Sequence, residues 1–118
     1  MHLTDNEKRD AVKLLQQAYG GEHMRRDVAL NVLRAHKQEL EERYSITRLG
    51  IFGSVARDEA ADNSDVDVIV EMAPDLFGKV SLKEELERIL GAKVDLVRYW
   101  RRMNHYLKRR IDKEAYYV

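Results

Sequence analysis

The chain has 118 residues, 44% hydrophobic and 36% charged, which fits one globular domain and excludes an intrinsically disordered chain. The 21 basic residues balance the 21 acidic ones, so net charge offers no drive toward non-specific nucleic-acid binding, and direct nucleic-acid binding is not expected. Cysteine is absent, His2, His23, His36 and His105 show no zinc spacing, no apolar run approaches a membrane span, and the polar start MHLTDNEKRD lacks a signal-peptide stretch; a cytoplasmic protein without a membrane partner is the expectation.

In chain order, Thr4-Asp5-Asn6-Glu7 reads as a capping box that opens a helix. Val12, Leu15 and Tyr19 recur at helical spacing, and Gly20-Gly21 ends that segment. A second helix is predicted over 25–43, with the stripe Val28, Val32, Leu33, His36, Leu40 and Tyr44. The exposed faces of these first two helices are candidate surfaces for dimerisation or partner docking. Leu49 and Ile51 alternate with Arg48 and Gly50, which predicts a short strand running into Gly53-Ser54. A short helix is predicted over 55–60, followed by turn chemistry at Ala61-Asp62-Asn63-Ser64.

Val66, Val68 and Val70 alternate with Asp65, Asp67 and Ile69, which predicts a second strand. Pro74 and Gly78 flank a predicted loop, and Ser81-Leu82-Lys83-Glu84 reads as a capping box opening a helix that Gly91 closes. Lys93-Val94-Asp95-Leu96-Val97 predicts a third strand. A last helix is predicted over 101–114, with Met103, Leu107 and Ile111 on one face. Mixed helices and strands in so short a chain give an α/β (α+β) class: a small mixed sheet flanked by helices, with extra N-terminal helices.

Three acids carry the chemistry. On a strand, Asp65 and Asp67 project from one face, where two carboxylates repel until a divalent cation relieves them. Oxygen ligands of this kind suit Mg²⁺, which binds one or two carboxylates together with substrate phosphates. Asp-x-Asp alone more often means two solvated acids. Asp95, a lone acid in the apolar run Val94-Asp95-Leu96-Val97, changes that weighting. If its strand lies beside the Asp65–Asp67 strand, three carboxylates meet and can hold two Mg²⁺ ions, the arrangement used in nucleotidyl transfer. Gly53-Ser54 stands at a strand-to-helix junction, where backbone N–H groups and a hydroxyl can receive phosphate oxygens.

Gly53-Ser54, ten residues, then Asp65-Val66-Asp67 resembles the signature of the DNA polymerase β-like nucleotidyltransferases, a match expected by chance in roughly one chain in a thousand of this length. Within that superfamily the chain resembles the minimal nucleotidyltransferase (MNT) antitoxins of HEPN/MNT toxin–antitoxin systems. The resemblance rests on the stretches 49–57, 64–70, 83–87 and 93–97, with 109–115 also family-like. It implies a transferase domain over 25–118 behind an N-terminal helical extension over 1–24. It implies an antitoxin that transfers AMP from ATP to a tyrosine of a HEPN ribonuclease toxin, with Asp65, Asp67 and Asp95 as catalytic and metal-binding carboxylates. Gly53, Ser54 and Arg57 then bind the nucleotide.

The family often has glycine where Asp58 stands, and an acid near a triphosphate is unfavourable unless it points away. Together with the N-terminal helix, Asp58 motivates an alternative, an antitoxin that neutralises its toxin by binding and occlusion. Transfer to a small molecule such as an aminoglycoside is disfavoured, since little chain remains to build an acceptor domain. The cations Arg98, Arg101, Arg102, Lys108, Arg109, Arg110 and Lys113 could meet RNA, ATP phosphates or an acidic toxin surface, but a solvated helix face is the expected reading. Tyr99 and Trp100 read as packing residues, and Tyr116 and Tyr117 as a C-terminal docking segment. A Ser54 hydrolase is disfavoured, since the motif is not Gly-x-Ser-x-Gly and the pattern indicates no nearby histidine.

Overall fold

The computed structural model describes Thr4, Asp5, Glu7, Lys8 and residues 24–118. The expected capping box is present in part: the Glu7 N–H donates to Thr4 Oγ1 at 3.1 Å. The stripe Val12, Leu15 and Tyr19 and the stop at Gly20-Gly21 lie outside the described residues.

From Met24 onward the described elements are α1 (Arg26–Tyr44), β1 (Arg48–Phe52), α2 (Gly53–Ala56), β2 (Val66–Glu71), α3 (Leu76–Leu90), β3 (Val94–Arg98), α4 (His105–Glu114) and β4 (Tyr116–Tyr117). Among the described residues these strands form one four-stranded sheet in the order β3-β2-β1-β4. β1 pairs antiparallel with β2 and with β4, whereas β2 and β3 run parallel, joined by the crossover helix α3. The sheet is therefore mixed, as expected.

The pairing register sorts the strand residues onto two faces. Leu49 opposes Val70 and Ile51 opposes Val68, and Val66 and Val68 lie beside Val94 and Leu96. These side chains form one core with Leu33 and Leu40 of α1 and Leu82, Leu86 and Leu90 of α3. On the other face Phe52 and Ile69 pack with Met103 and Ile111, and Val97, Leu107 and Tyr117 join them. Leu107 and Ile111 of the last helix, with Met103 from the turn before it, are thus the layer covering the second side of the sheet. Both faces are covered, which is why Ile69 is as buried as the valines flanking it.

Three helix boundaries differ from expectation. α3 starts at Leu76, five residues before Ser81, because Asp75 caps it: Asp75 Oδ1 accepts the Gly78 N–H at 2.9 Å. Gly78 belongs to this first turn, where a Cβ would run into the Asp75 carboxylate. Proline and glycine here mark a helix start instead of a loop, and Ser81 lies inside the helix. α4 starts at His105, not 101, with Asn104 Oδ1 accepting the Tyr106 and Leu107 N–H groups at 3.0 and 3.1 Å. α2 covers Gly53–Ala56 rather than 55–60, because Asp58 takes a left-handed φ of 56° that ends it.

Candidate active site

The site lies on the α4 side of the sheet, where β1 ends and β2 and β3 begin. In the parallel β2–β3 pair, Asp67 stands directly beside Asp95, and in the antiparallel β1–β2 pair Asp67 opposes Phe52. The adjacency on which the metal reading of Asp95 depends is therefore present. Asp65 lies one residue before β2 and is exposed, as is Asp95, while Asp67 is half-buried.

Gly53 follows Phe52 directly and turns with φ 73°, a left-handed value that favours glycine. The turn brings its Cα against Asp67, and a Cβ there would run into Asp67 Oδ2. Glycine is required twice over, by the backbone angle and by the close approach. Ser54 is half-buried in α2, and among the described residues nothing hydrogen-bonds its hydroxyl. Arg57 is held by two acids, with Nε 3.1 Å from Glu59 Oε2 and Nη1 3.0 Å from Glu114 Oε2.

The electrostatics single out Asp67. Burial pushes its carboxyl up to about 6, the charges of Asp95 and Asp65 push the same way, and Arg110 and Arg57 pull against them. Among the described residues no donor reaches this carboxylate. Carboxylates stacked side by side without donors suit a divalent cation, which relieves the repulsion and accepts their lone pairs. Among the described residues no three His, Cys, Asp or Glu side chains already form a closed metal-holding group. The expected meeting of three carboxylates is therefore present only as the Asp67–Asp95 pair, with Asp65 one residue before β2.

A match to the nucleotidyltransferase domain model spans residues 33–118 and so takes in every element of this site. The chain belongs to the nucleotidyltransferase family. Among its relatives, a protein of Methanocaldococcus jannaschii, assigned by inference as a protein adenylyltransferase, is 40% identical over 90 residues, 75% of this chain and 92% of that one. The protein adenylyltransferase MntA of Thermococcus cleftensis is 48% identical over 69 residues, 57% of this chain and 70% of that one. A solved structure assigned by inference as a minimal nucleotidyltransferase matches this nucleotidyltransferase with a TM-score of 0.60 and 35% identity, covering 74% of this chain and 93% of that one. A re-refined structure of a tri-AMPylated Shewanella oneidensis HEPN toxin with its MNT antitoxin shares the fold at 19% identity and a TM-score of 0.56, covering 78% and 70% of the two chains. The resemblance to the minimal nucleotidyltransferases is thus upheld, and with it the enzyme class and the mixed α/β fold.

Asp58, read from sequence as a burden on the triphosphate site, faces elsewhere in this nucleotidyltransferase. Its Oδ1 accepts the Arg26 N–H at 2.7 Å and its Oδ2 lies 3.6 Å from Arg26 Nη2. It caps α1, whose own N-cap residue Arg25 makes no side-chain cap. Its positive φ is one that glycine adopts without strain. Trp100 is exposed on one side and Tyr99 packs against the α4 core, its hydroxyl donating to Asp112 at 2.8 Å. Tyr116 and Tyr117 form the edge strand β4 against Gly50 and Ile51.

Of two further residues in this neighbourhood, Arg110 reads from sequence as part of a solvated helix face and Glu114 is not singled out. Glu114 accepts the Gly53 N–H at 3.1 Å and pairs with Arg57, and Arg110 Nη2 stands 3.7 Å from the same Glu114 oxygen. The sequence signal for Glu114 is the family-like stretch over 109–115; Arg110 also belongs to the basic C-terminal set.

Proposed function

We propose that this nucleotidyltransferase is a Mg²⁺-dependent protein adenylyltransferase, an antitoxin that transfers AMP from ATP to a tyrosine of a cognate HEPN-family toxin and so neutralises it. Residues 25–118 are the transferase domain and 1–24 an extension. The observation that carries this reading is the register that sets Asp67 beside Asp95 under the Gly53 turn, in a chain of this family.

Asp65 and Asp67 are assigned to the metal ions, with Asp95 completing the set. Bound Mg²⁺ supplies charge neutralisation at the triphosphate and at the attacking and leaving oxygens. Gly53 offers a backbone N–H, Ser54 a free hydroxyl and Arg57 a guanidinium to the triphosphate oxygens. The acceptor hydroxyl oxygen forms a bond to the α-phosphorus while the bond from that phosphorus to the β-phosphate oxygen breaks. Pyrophosphate leaves, and the acceptor proton passes to Asp95, the exposed carboxylate beside Asp67. Burial pushes the Asp67 carboxyl up to about 6, so cation capture is expected above that pH, where it is ionised.

The occluding antitoxin loses one of its two motives, since Asp58 is turned to α1. The test is mass spectrometry of the co-expressed neighbouring toxin after incubation with ATP and Mg²⁺. A gain of about 329 Da per event, the AMP increment of a nucleotidyl transfer, on a tyrosine is expected. An unmodified toxin that is nonetheless bound and inhibited would replace catalysis with occlusion.

A further inference from the structure

Glu114 occupies an odd place. It ends α4, where the helix dipole disfavours an acid, yet its side chain is only 18% exposed and turned inward. One oxygen, Oε2, collects the Gly53 N–H at 3.1 Å, Arg57 Nη1 at 3.0 Å and Arg110 Nη2 at 3.7 Å. A backbone N–H at a glycine turn and two guanidiniums converging on one anionic oxygen are the donors that phosphate groups recruit. Two of the three, Gly53 and Arg57, are the donors assigned above to the triphosphate. A nucleotide cannot take the Gly53 N–H while Glu114 holds it.

We propose that Arg110 and Arg57 together form the triphosphate subsite, and that Glu114 fills this subsite in the free protein and yields its donors to the phosphate oxygens when nucleotide binds. The proposal rests on the nucleotide reading above and extends it to two residues. The cationic charge already reaches the carboxylates, since Arg110 and Arg57 both pull the Asp67 carboxyl downward. Space for the displaced side chain exists: a groove of about 540 Å³ adjoins Glu114, lined by Arg26, Arg57, Lys113 and Tyr116. While Glu114 holds the donors, only a fraction of molecules is competent, and apparent affinity falls by that fraction.

A fixed clamp that merely orients Arg57 would behave oppositely on substitution, so the sign of the effect decides. The full chain is titrated with ATP and Mg²⁺ by calorimetry without any acceptor. Glu114→Gln is expected to bind at least about threefold more tightly than the parent, and Arg110→Gln at least about threefold more weakly. Glu114→Asp, which keeps the charge but shortens the reach to Gly53, also binds more tightly and serves if the glutamine variant fails to fold. In a second readout, inorganic tripolyphosphate moves the Gly53 amide resonance of the parent, and Glu114→Gln shows a displaced resonance before any ligand is added. Equal or weaker ATP binding by both Glu114 variants would overturn the exchange while leaving the nucleotide reading intact. Absence of ATP binding in the parent and both variants would overturn the two together.

Discussion

Two half-buried carboxylates in this small fold meet opposite fates. Glu85 on α3 accepts two hydrogen bonds at 2.8 Å from Arg43 Nη1 and one at 2.7 Å from the Tyr44 hydroxyl, and Arg88 stands 3.6 Å away. Burial alone would raise its carboxyl, but the Tyr44 and Arg43 hydrogen bonds and the nearby cations outweigh burial and hold it below the usual range. Asp67 on β2 receives no donor from the described residues, sits beside Asp95, and is pushed up to about 6. The chain satisfies the acid that ties α1 to α3 and leaves the acid at the sheet end unsatisfied. The charge that ties two helices together obtains its partners from the chain, whereas the unpartnered one costs stability, as the proposed ligand site would.

The comparison can be broken most sharply at Asp67. Asp67→Asn is expected to lower the rate of nucleotide transfer by at least about a hundredfold, the scale of removing one charge-stabilising group from a transition state. Its circular dichroism should match the parent. A folded Asn variant with parental transfer rates would remove Asp67 from the site.

Glu85→Ala tests the other half. It strips Tyr44 and Arg43 of their shared acceptor and is expected to cost about 1–2 kcal/mol in urea denaturation. Transfer per folded molecule should stay unchanged. A loss of activity without a loss of stability would contradict the division of roles.

The two acids also predict opposite pH slopes in the metal-free chain. Asp67 has a raised carboxyl, so its contribution to stability is present below its ordinary value of 3.8 and is lost as pH rises to about 6. Glu85 has a lowered carboxyl, so its contribution is present above its ordinary value of 4.5 and is lost as pH falls through the lowered one. At pH 7, Asp67→Asn should therefore be more stable than the parent by about 1 kcal/mol once solvent screening is allowed for. Thermal melts of both variants between pH 3 and pH 7 read the two slopes, and parallel slopes would refute the contrast.

The smallest effect is expected at Asp58. Asp58→Gly removes the cap on Arg26 but relieves a left-handed φ of 56°, so stability should change by less than about 1 kcal/mol. Transfer should not change. A marked gain in activity would mean that this acid does burden the nucleotide.

The strands and the placement of the candidate acids on them were legible because both rest on short-range pattern. Val66, Val68 and Val70 alternate with Asp67, and the Gly-Ser to Asp-x-Asp spacing lies within one antiparallel pair. The position of Asp95 was legible only conditionally, since nothing local states that β3 runs beside β2; the crossover through α3 settles it. The start of α3 was misread because Pro74 and Gly78 are loop signals in isolation, and the Asp75 cap that reverses their meaning is a single hydrogen bond. β4 is two residues long, too short for any periodicity, and exists because Tyr116 and Tyr117 can approach β1 at Gly50. Arg110 reads from sequence as part of a solvated helix face, and Glu114 has no local signal of its own. Only the docking of α4 onto the second face of the sheet brings Glu114 to Gly53, 61 residues away in sequence.

The most direct test of the account follows the label in ATP. The chain is incubated with Mg²⁺, the cognate toxin and ATP labelled at either the α- or the γ-phosphate, with Asp67→Asn in parallel. The account predicts that toxin retains the α-label and not the γ-label, and that the Asn variant transfers neither. Retention of the γ-label, or undiminished α-label transfer by Asp67→Asn, would contradict it.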